Sequence, residues 1–92
     1  GYICPGFIDL HVHGGDGADF MDGAAEAFRT ACRAHARHGT TALLATSTAA
    51  SHEHVLRFLR ACKHAHLRQD GGAVVAGAHL YGPYFGPDAR GC

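Results

Sequence analysis

The sequence has neither an excess of charge of one sign nor a long apolar run. Eight Lys and Arg balance eight Asp and Glu among its 92 residues, so no field of one sign is available to hold a phosphate backbone or an anionic membrane surface. No apolar run approaches the roughly 20 residues that span a bilayer, and no segment has the layout of a secretory signal peptide. We therefore expect neither a nucleic-acid partner nor a membrane partner.

The sequence also lacks a C-x-x-C pair. Its cysteines are widely scattered, which is not typical of a disulfide framework. We therefore expect reduced cysteines and a cytoplasmic location. The four cysteines are Cys4, Cys32, Cys62 and Cys92.

Histidine, in contrast, is abundant. Nine histidines in 92 residues exceed ordinary usage, so some of them require a chemical explanation. The remaining composition, 47% hydrophobic and 17% charged, is that of one small globular domain. Because the chain begins with Gly1 and stops at Cys92 after a stretch rich in Gly and Pro, we expect it to be a segment of a longer protein.

The hydrophobic pattern predicts three strands that alternate with two helices. The first strand alternates with period two, whereas the second and third are short and largely apolar. The expected strands are residues 7–13, 41–46 and 73–81.

Each predicted helix has one apolar face. The first helix covers residues 24–38, with Asp22 as its N-cap and Gly39 as its stop, and the second begins at the N-cap Ser51 and ends before Gly71. Their helical spacing predicts burial of Phe28, Ala31, Cys32 and His35 in the first helix and of Val55, Leu59, Cys62 and His66 in the second.

The order of these elements indicates an α/β fold with parallel strands joined by crossover helices. Three strands and two helices cannot cover both faces of a sheet and leave its edges open, so we do not expect the segment to be stable alone. A (β/α)8 TIM barrel needs roughly 250 residues. The chain would therefore supply an incomplete barrel, with about its first three strands and two helices.

The first strand carries polar side chains where burial is expected. One face is apolar and should pack under the helices, whereas two imidazoles and a carboxylate on the other face would be costly to bury without partners. The apolar face consists of Ile8, Leu10 and Val12, and the other of Phe7, Asp9, His11 and His13.

A metal ion is the partner that suits these side chains best. His11 and His13 are at i and i+2, so their imidazoles project the same way at the carboxyl end of the strand, where barrel enzymes place their chemistry. An H-x-H pair can also be two hydrogen-bonded or exposed histidines. The flanking residues 5–9 and 14–15 favour the metal interpretation.

The other histidines carry weaker signals. Six of them lie on the predicted helices or at their ends, where surface or packing roles are expected. His79 shares a face of the third strand with Tyr81, and two interpretations stay open: a hydrogen-bond donor to a metal ligand, or a hydrogen-bonded histidine of the core.

The segment 5–14 (PGFIDLHVHG) resembles the first-strand signature of the amidohydrolase superfamily. The members of this superfamily are metal-dependent hydrolases with a (β/α)8 barrel. The chain is most similar to the N-acetylglucosamine-6-phosphate deacetylase family within it. The motifs that carry this narrower resemblance are 14–15 (GG), 18–20 (ADF) with Asp22, 38–41 (HGTT), and 79–85 (HLYGPYF) with Pro87 and Gly91.

The resemblance implies a fragment, residues 1–92, of a single metal-dependent hydrolase barrel domain. Its activity would be removal of the acetyl group from N-acetylglucosamine 6-phosphate, which gives glucosamine 6-phosphate and acetate. His11 and His13 match the family's metal-binding pair, and zinc or iron is the expected divalent ion. The partner would be a small amino-sugar phosphate, and a homodimer of the full-length protein stays open.

The third strand departs from the family pattern at Tyr81, where the family has a metal-binding Glu. Tyr81 could ligate as a phenolate, the metal could be held by the two histidines plus ligands from later strands, or activity could be impaired. The intact remainder of the motif favours the second outcome.

Two points stay open beyond the metal pair. By resemblance Cys92 is a candidate for contact with the amino sugar, although a loop cysteine without such a role fits equally well, and the catalytic acid/base is expected beyond Cys92. The alternative functions are another amidohydrolase, of the D-aminoacylase or dihydroorotase type, and a non-catalytic sugar-phosphate-binding relative. The segment 79–85 argues against the first alternative, and Tyr81 argues for the second.

Overall fold

The computed structural model describes residues 1–89, and three parallel strands form their central sheet. In chain order the three strands of this sheet alternate with two helices, as the sequence predicts, and two further short strands precede the first helix. They are β1 (Phe7–Val12), β2 (Gly14–Gly15), β3 (Ala18–Asp19), α1 (Ala25–Arg37), β4 (Thr40–Thr46), α2 (His52–Leu67) and β5 (Val74–His79). The order in the sheet is β1-β4-β5, so β4 is central. Within residues 1–89, no helix is long and apolar enough to cross a membrane.

The two helices begin differently. The Ser51 side chain accepts a hydrogen bond from the His54 amide at 3.3 Å and caps α2 as predicted. The N-cap of α1 is Ala24, which makes no side-chain cap, so the assignment of Asp22 was wrong. Asp22 instead belongs to a capping box with Asp19 around a short 3-10 turn, because Gly23, at φ +66°, ends that turn before α1 begins.

A small hairpin formed by β2 and β3 follows β1, and the sequence analysis missed it. Its tip is Asp16-Gly17, and both residues have positive φ, at 54° and 80°. An Asp-Gly dipeptide is the usual signal of such a two-residue turn. The hairpin is fastened to α1, because His35 Nε2 lies 2.9 Å from the Gly14 carbonyl and Arg37 pairs with Asp16 at 3.0 Å.

The hydrophobic core lies between the sheet and the two helices. Phe20, Phe28 and Phe58 are fully or almost fully buried there, packed with Leu43 and Val75 from the strands.

The predicted helix faces agree with this core in α1 and only partly in α2. In α1 the predicted residues are buried, apart from the half-buried His35. In α2 the prediction missed Phe58, held only in part for the half-buried Val55 and Leu59, and was wrong for His66, which is exposed near the end of the helix. His66 Nδ1 lies 2.8 Å from the Val75 carbonyl.

The predicted apolar face of β1 is largely uncovered. Val12 is 8% exposed, but Ile8 and Leu10 are 68% and 63% exposed, so the prediction that all three pack under helices was wrong for two of them. One cause is an irregular register, since the pairs Asp9–Leu43 and Val12–Ala45 leave three residue steps on β1 opposite two on β4. The irregularity interrupts the alternation of faces.

We predict that the isolated 92-residue chain associates instead of unfolding cooperatively. Within residues 1–89, β1 is an edge strand with exposed Ile8 and Leu10, and such edges template further pairing. Size-exclusion chromatography should show oligomers that Ile8→Lys reduces. Leu67→Lys, at a position on α2 that is 70% exposed, is the matched control and should change little. A monomer with a sharp urea transition would contradict this.

The buried thiols of Cys32 and Cys62 are expected to be chemically inert. Burial raises the pKa of the Cys32 thiol to about 11, with a further contribution from Cys62, whose own pKa burial also raises. At pH 8 only about one Cys32 in a thousand would be thiolate, and alkylation should speed up about tenfold per pH unit until pH nears 11. Peptide mapping after iodoacetamide should find Cys4, which is exposed and free, labelled first. Equal labelling of Cys32 and Cys4 at pH 8 would refute the prediction.

Candidate metal centre

Three histidines and a tyrosine meet at one edge of the sheet. His11 lies at the end of β1 and His13 directly after it, whereas His79 is the last residue of β5 and Tyr81 follows two residues later. Because the strands are parallel, their carboxyl ends lie at the same edge. The His11 ring centroid is 5.0 Å from that of His13, 4.9 Å from that of His79 and 5.0 Å from that of Tyr81.

The two predicted metal-binding histidines face one another. His11 Nε2 and His13 Nε2 are 3.1 Å apart. Two imidazole nitrogens on one tetrahedral ion, each at about 2.0–2.1 Å, would be about 3.3 Å apart. The pair therefore fits a shared divalent ion, and the same distance also suits a hydrogen bond from one ring to the other.

The other ring nitrogen of His13 lacks a partner. His13 Nδ1 is buried and makes no hydrogen bond within residues 1–89. A metal-bound histidine usually donates its second ring N–H to a carboxylate, a carbonyl or water. The described part of the chain thus brings two imidazole nitrogens together, and it leaves the second ring nitrogen of His13 without a hydrogen-bond partner.

The donor set within residues 1–89 is incomplete. No group of three His, Cys, Asp or Glu side chains there could hold a metal ion together. Tyr81 is half-buried beside the pair, and its ring centroid is 5.9 Å from that of His13 and 4.9 Å from that of Phe85. The third donor beside the two imidazole nitrogens is therefore a phenol oxygen, where the family resemblance implies a carboxylate.

Asp9 supports the histidine pair through the backbone. Its Oδ1 accepts a hydrogen bond from the His11 amide at 3.0 Å. This contact spans two residues and fixes the start of the irregular stretch of β1. The Asp9 carboxylate, which the sequence predicts on the same face as the two histidines, thus contacts the backbone of His11.

The end of β4 contributes two buried polar residues that the sequence analysis did not single out. Thr46 and Ser47 are 0% and 2% exposed. Thr46 Oγ1 accepts a hydrogen bond from the Val12 amide at 3.0 Å and lies 3.4 Å from His79 Nδ1. The signal in the sequence was a Thr-Ser pair at the end of an otherwise apolar strand.

Ser47 binds the backbone of the segment after β5. Its amide donates to the His79 carbonyl at 2.9 Å, and its Oγ accepts from the Tyr81 amide at 3.2 Å. Thr46 and Ser47 at the end of central β4 are therefore hydrogen-bonded to the ends of both β1 and β5, where the histidines and the tyrosine lie.

The remaining predicted site residues lie elsewhere. Cys92, the candidate for contact with the amino sugar, lies outside the described residues. The six helix histidines do not join the cluster. A groove between α1 and α2, lined in part by Arg29, Cys32 and Arg68, contains none of the four clustered side chains.

Comparisons with known proteins show which family the chain resembles. The amidohydrolase family model matches residues 2–90. The chain is 38% identical over 93 residues to an N-acetylgalactosamine-6-phosphate deacetylase of Escherichia coli O157:H7, covering 97% of this chain and 24% of that protein. It is also 38% identical over 91 residues to an N-acetylglucosamine-6-phosphate deacetylase of Vibrio furnissii, covering 97% of this chain and 22% of that protein.

Solved structures give the same result. The chain superposes on N-acetyl-D-glucosamine-6-phosphate deacetylase of Mycobacterium smegmatis with a TM-score of 0.77 and 31% identity, covering 95% of this chain and 24% of that one. A mutant of that enzyme in complex with N-acetyl-D-glucosamine-6-phosphate gives the same TM-score. The chain thus spans about a quarter of the length of these relatives. Its mixed α/β fold with a parallel sheet resembles the N-terminal part of the deacetylase, and with a family match over nearly all of its residues the chain belongs to the amidohydrolase family.

Proposed function

We propose that residues 1–92 are the first part of the barrel of a metal-dependent deacetylase. Its reaction is hydrolysis of the amide in N-acetylglucosamine 6-phosphate, which gives glucosamine 6-phosphate and acetate. The observation that carries this proposal is the 3.1 Å approach of His11 Nε2 and His13 Nε2 at the carboxyl edge of the sheet, in a chain that matches deacetylases over 97% of its length. The three strands and two helices are then the start of a (β/α)8 barrel.

His11 and His13 are the residues that would hold the divalent ion, and zinc or iron suits imidazole nitrogen. Such an ion, when bound, supplies an acidified water and polarises the acetyl carbonyl. The chain itself orients the two ligand nitrogens through the backbone of β1. Asp9 accepts a hydrogen bond from the His11 amide, and Thr46 accepts one from the amide of Val12, the residue between the two histidines. The carboxylate that moves the proton belongs to the sequence beyond Cys92 in this proposal.

Tyr81 is proposed to be a neighbour of the ion and not its anionic ligand. A tyrosine offers a phenol oxygen where the family has a carboxylate, so it does not replace the charge of the family's Glu. The ion would then depend on the two histidines and on ligands from later strands. A cytoplasmic location belongs to the same proposal, and the free thiols of Cys4, Cys32 and Cys62 support it.

We predict that His11→Ala combined with His13→Ala abolishes metal binding in the intact protein that contains these residues. Loss of both imidazoles removes the described nitrogen ligands, so the metal content should fall below about one tenth of an ion per chain, with loss of acetate release to match. The control is His38→Ala combined with His64→Ala, at exposed positions. Full metal content or unchanged deacetylation in the His11/His13 variant would refute the proposed function.

We predict that Tyr81→Glu tightens metal binding by about tenfold or more relative to Tyr81→Gln. The two side chains have nearly the same shape, but only Glu adds a negative charge beside the ion at neutral pH. Competition with a chromogenic chelator measures both affinities. Equal affinity in the Glu and Gln variants would mean that position 81 does not face the ion.

A second function, a non-catalytic sugar-phosphate binder, is favoured by Tyr81 alone. Calorimetry with N-acetylglucosamine 6-phosphate and an acetate assay on the same metal-loaded protein separate the two functions. Binding without acetate release indicates the binder. The galactose epimer should be assayed in parallel, because the Escherichia coli relative carries N-acetylgalactosamine 6-phosphate in its name.

A further inference from the structure

Thr46 has three hydrogen-bonding neighbours that come from all three strands of the central sheet. Its Oγ1 lies 3.0 Å from the Val12 amide of β1, 3.1 Å from the Leu44 carbonyl of β4 and 3.4 Å from His79 Nδ1 of β5. The side chain is 0% exposed, so water does not compete for these contacts. We propose that Thr46 is a positioning residue whose hydroxyl anchors the histidine-bearing end of β1 and holds the His79 ring in the tautomer that is protonated on Nδ1.

The tautomer follows from counting protons and lone pairs. A hydroxyl has one proton to donate and two lone pairs to accept with. The Val12 amide can only donate and the Leu44 carbonyl can only accept, so the hydroxyl proton goes to Leu44 and one lone pair receives the Val12 N–H. The second lone pair faces His79 Nδ1, which must therefore carry a hydrogen for all three contacts to be favourable.

This assignment gives His79 a definite chemical character. In a neutral imidazole that is protonated on Nδ1, Nε2 has a free lone pair and can only accept a hydrogen bond. The His79 ring packs edge-on against His11, with an interplanar angle of 90°. The free ring nitrogen of His79 is therefore an acceptor and not a donor, on a ring whose centroid lies 4.9 Å from that of His11.

The same hydroxyl stabilises the irregular stretch of β1. Val12 lies between His11 and His13, and the three residue steps from Asp9 to Val12 oppose two steps on β4. Irregularities of this kind re-aim side chains beside functional sites. Because Thr46 accepts the Val12 amide at the end of this stretch, it limits rotation of the backbone from which both imidazoles project.

The bonds of Ser47 allow the effect on the His79 ring to be tested separately from an effect on the His79 backbone. Ser47 bonds the His79 carbonyl and the Tyr81 amide, so the path of the chain after β5 keeps these bonds when the Thr46 hydroxyl is removed. Loss of that hydroxyl should therefore alter the His79 ring and the histidine pair more than the position of the strand.

The first test is the tautomer in the intact protein that contains these residues. Long-range ¹H–¹⁵N spectra of ¹⁵N-histidine-labelled protein, with His79 assigned by His79→Asn, should show His79 protonated on Nδ1 in the wild type and in Thr46→Ser. Thr46→Val, which has nearly the same shape but no hydroxyl, should shift the population toward Nε2–H. A wild-type His79 protonated on Nε2, or a tautomer that Thr46→Val leaves unchanged, overturns the proposal. The wild-type spectrum decides the matter even if Thr46→Val does not fold.

The second test measures positioning, and it alone rests on the proposed function. Zinc affinity should fall about tenfold to a hundredfold in Thr46→Val, and the hydroxyl retained in Thr46→Ser should restore most of it. If neither variant nor wild type binds zinc, the proposed function fails while the tautomer result stands. If wild type binds zinc and Thr46→Val binds it equally well, the positioning role fails while the proposed function stands.

Discussion

The hydrogen bond from the Val12 amide to the Thr46 hydroxyl is the contact on which the rest of the site depends. The amide belongs to the residue between two histidines, and at this point the ladder between β1 and β4 is irregular. A buried amide without a partner would cost about 1–3 kcal/mol, so the side chain of the central strand takes the place of a backbone carbonyl. The backbone of β1 can then depart from the regular register beside the histidine pair while the Val12 amide stays hydrogen-bonded.

Central β4 also explains why the two outer strands end together. Thr46 at its end and Ser47 directly after it are about as buried as Leu43, but they are polar and form no part of the apolar core. Thr46 reaches toward β1 and Ser47 toward the chain after β5. Placing polar groups at the end of a buried strand keeps the apolar core under the helices and puts the hydrogen-bonding groups at the edge where the imidazoles meet. The candidate site and the core are thus two ends of the same strand.

The sequence was sufficient for the parts of this arrangement that depend on local spacing. His11 and His13 at i and i+2 were expected to project the same way, and their Nε2 atoms are 3.1 Å apart. The order of the two helices and the three strands of the central sheet was also confirmed. The exposure of Ile8 and Leu10 could not be read from their alternation, because the register irregularity and the placement of the helices over other elements are tertiary features.

The contacts of Thr46 could not be predicted from the sequence for a related reason. Its partners Val12 and His79 lie 34 and 33 residues away along the chain, and no local pattern encodes which amide or ring a buried hydroxyl meets. The hairpin of β2 and β3, in contrast, could have been predicted, because Asp16-Gly17 is a strong turn signal flanked by residues that can pair. It was missed because the glycines at 14–15 were interpreted as the end of a strand and not as the start of another.

The substitution at Tyr81 makes the placement of the two imidazoles matter more than it would beside a carboxylate. Imidazole and phenol groups, unlike a carboxylate, bring no negative charge of their own to a divalent ion, so affinity at the proposed site would depend on how well the nitrogen lone pairs are aimed. The carboxylate of Asp9 is already engaged by the His11 amide. A site built in this way gains from rigid anchoring of its ligands, and the buried hydroxyl of Thr46 supplies that anchoring at the residue between them.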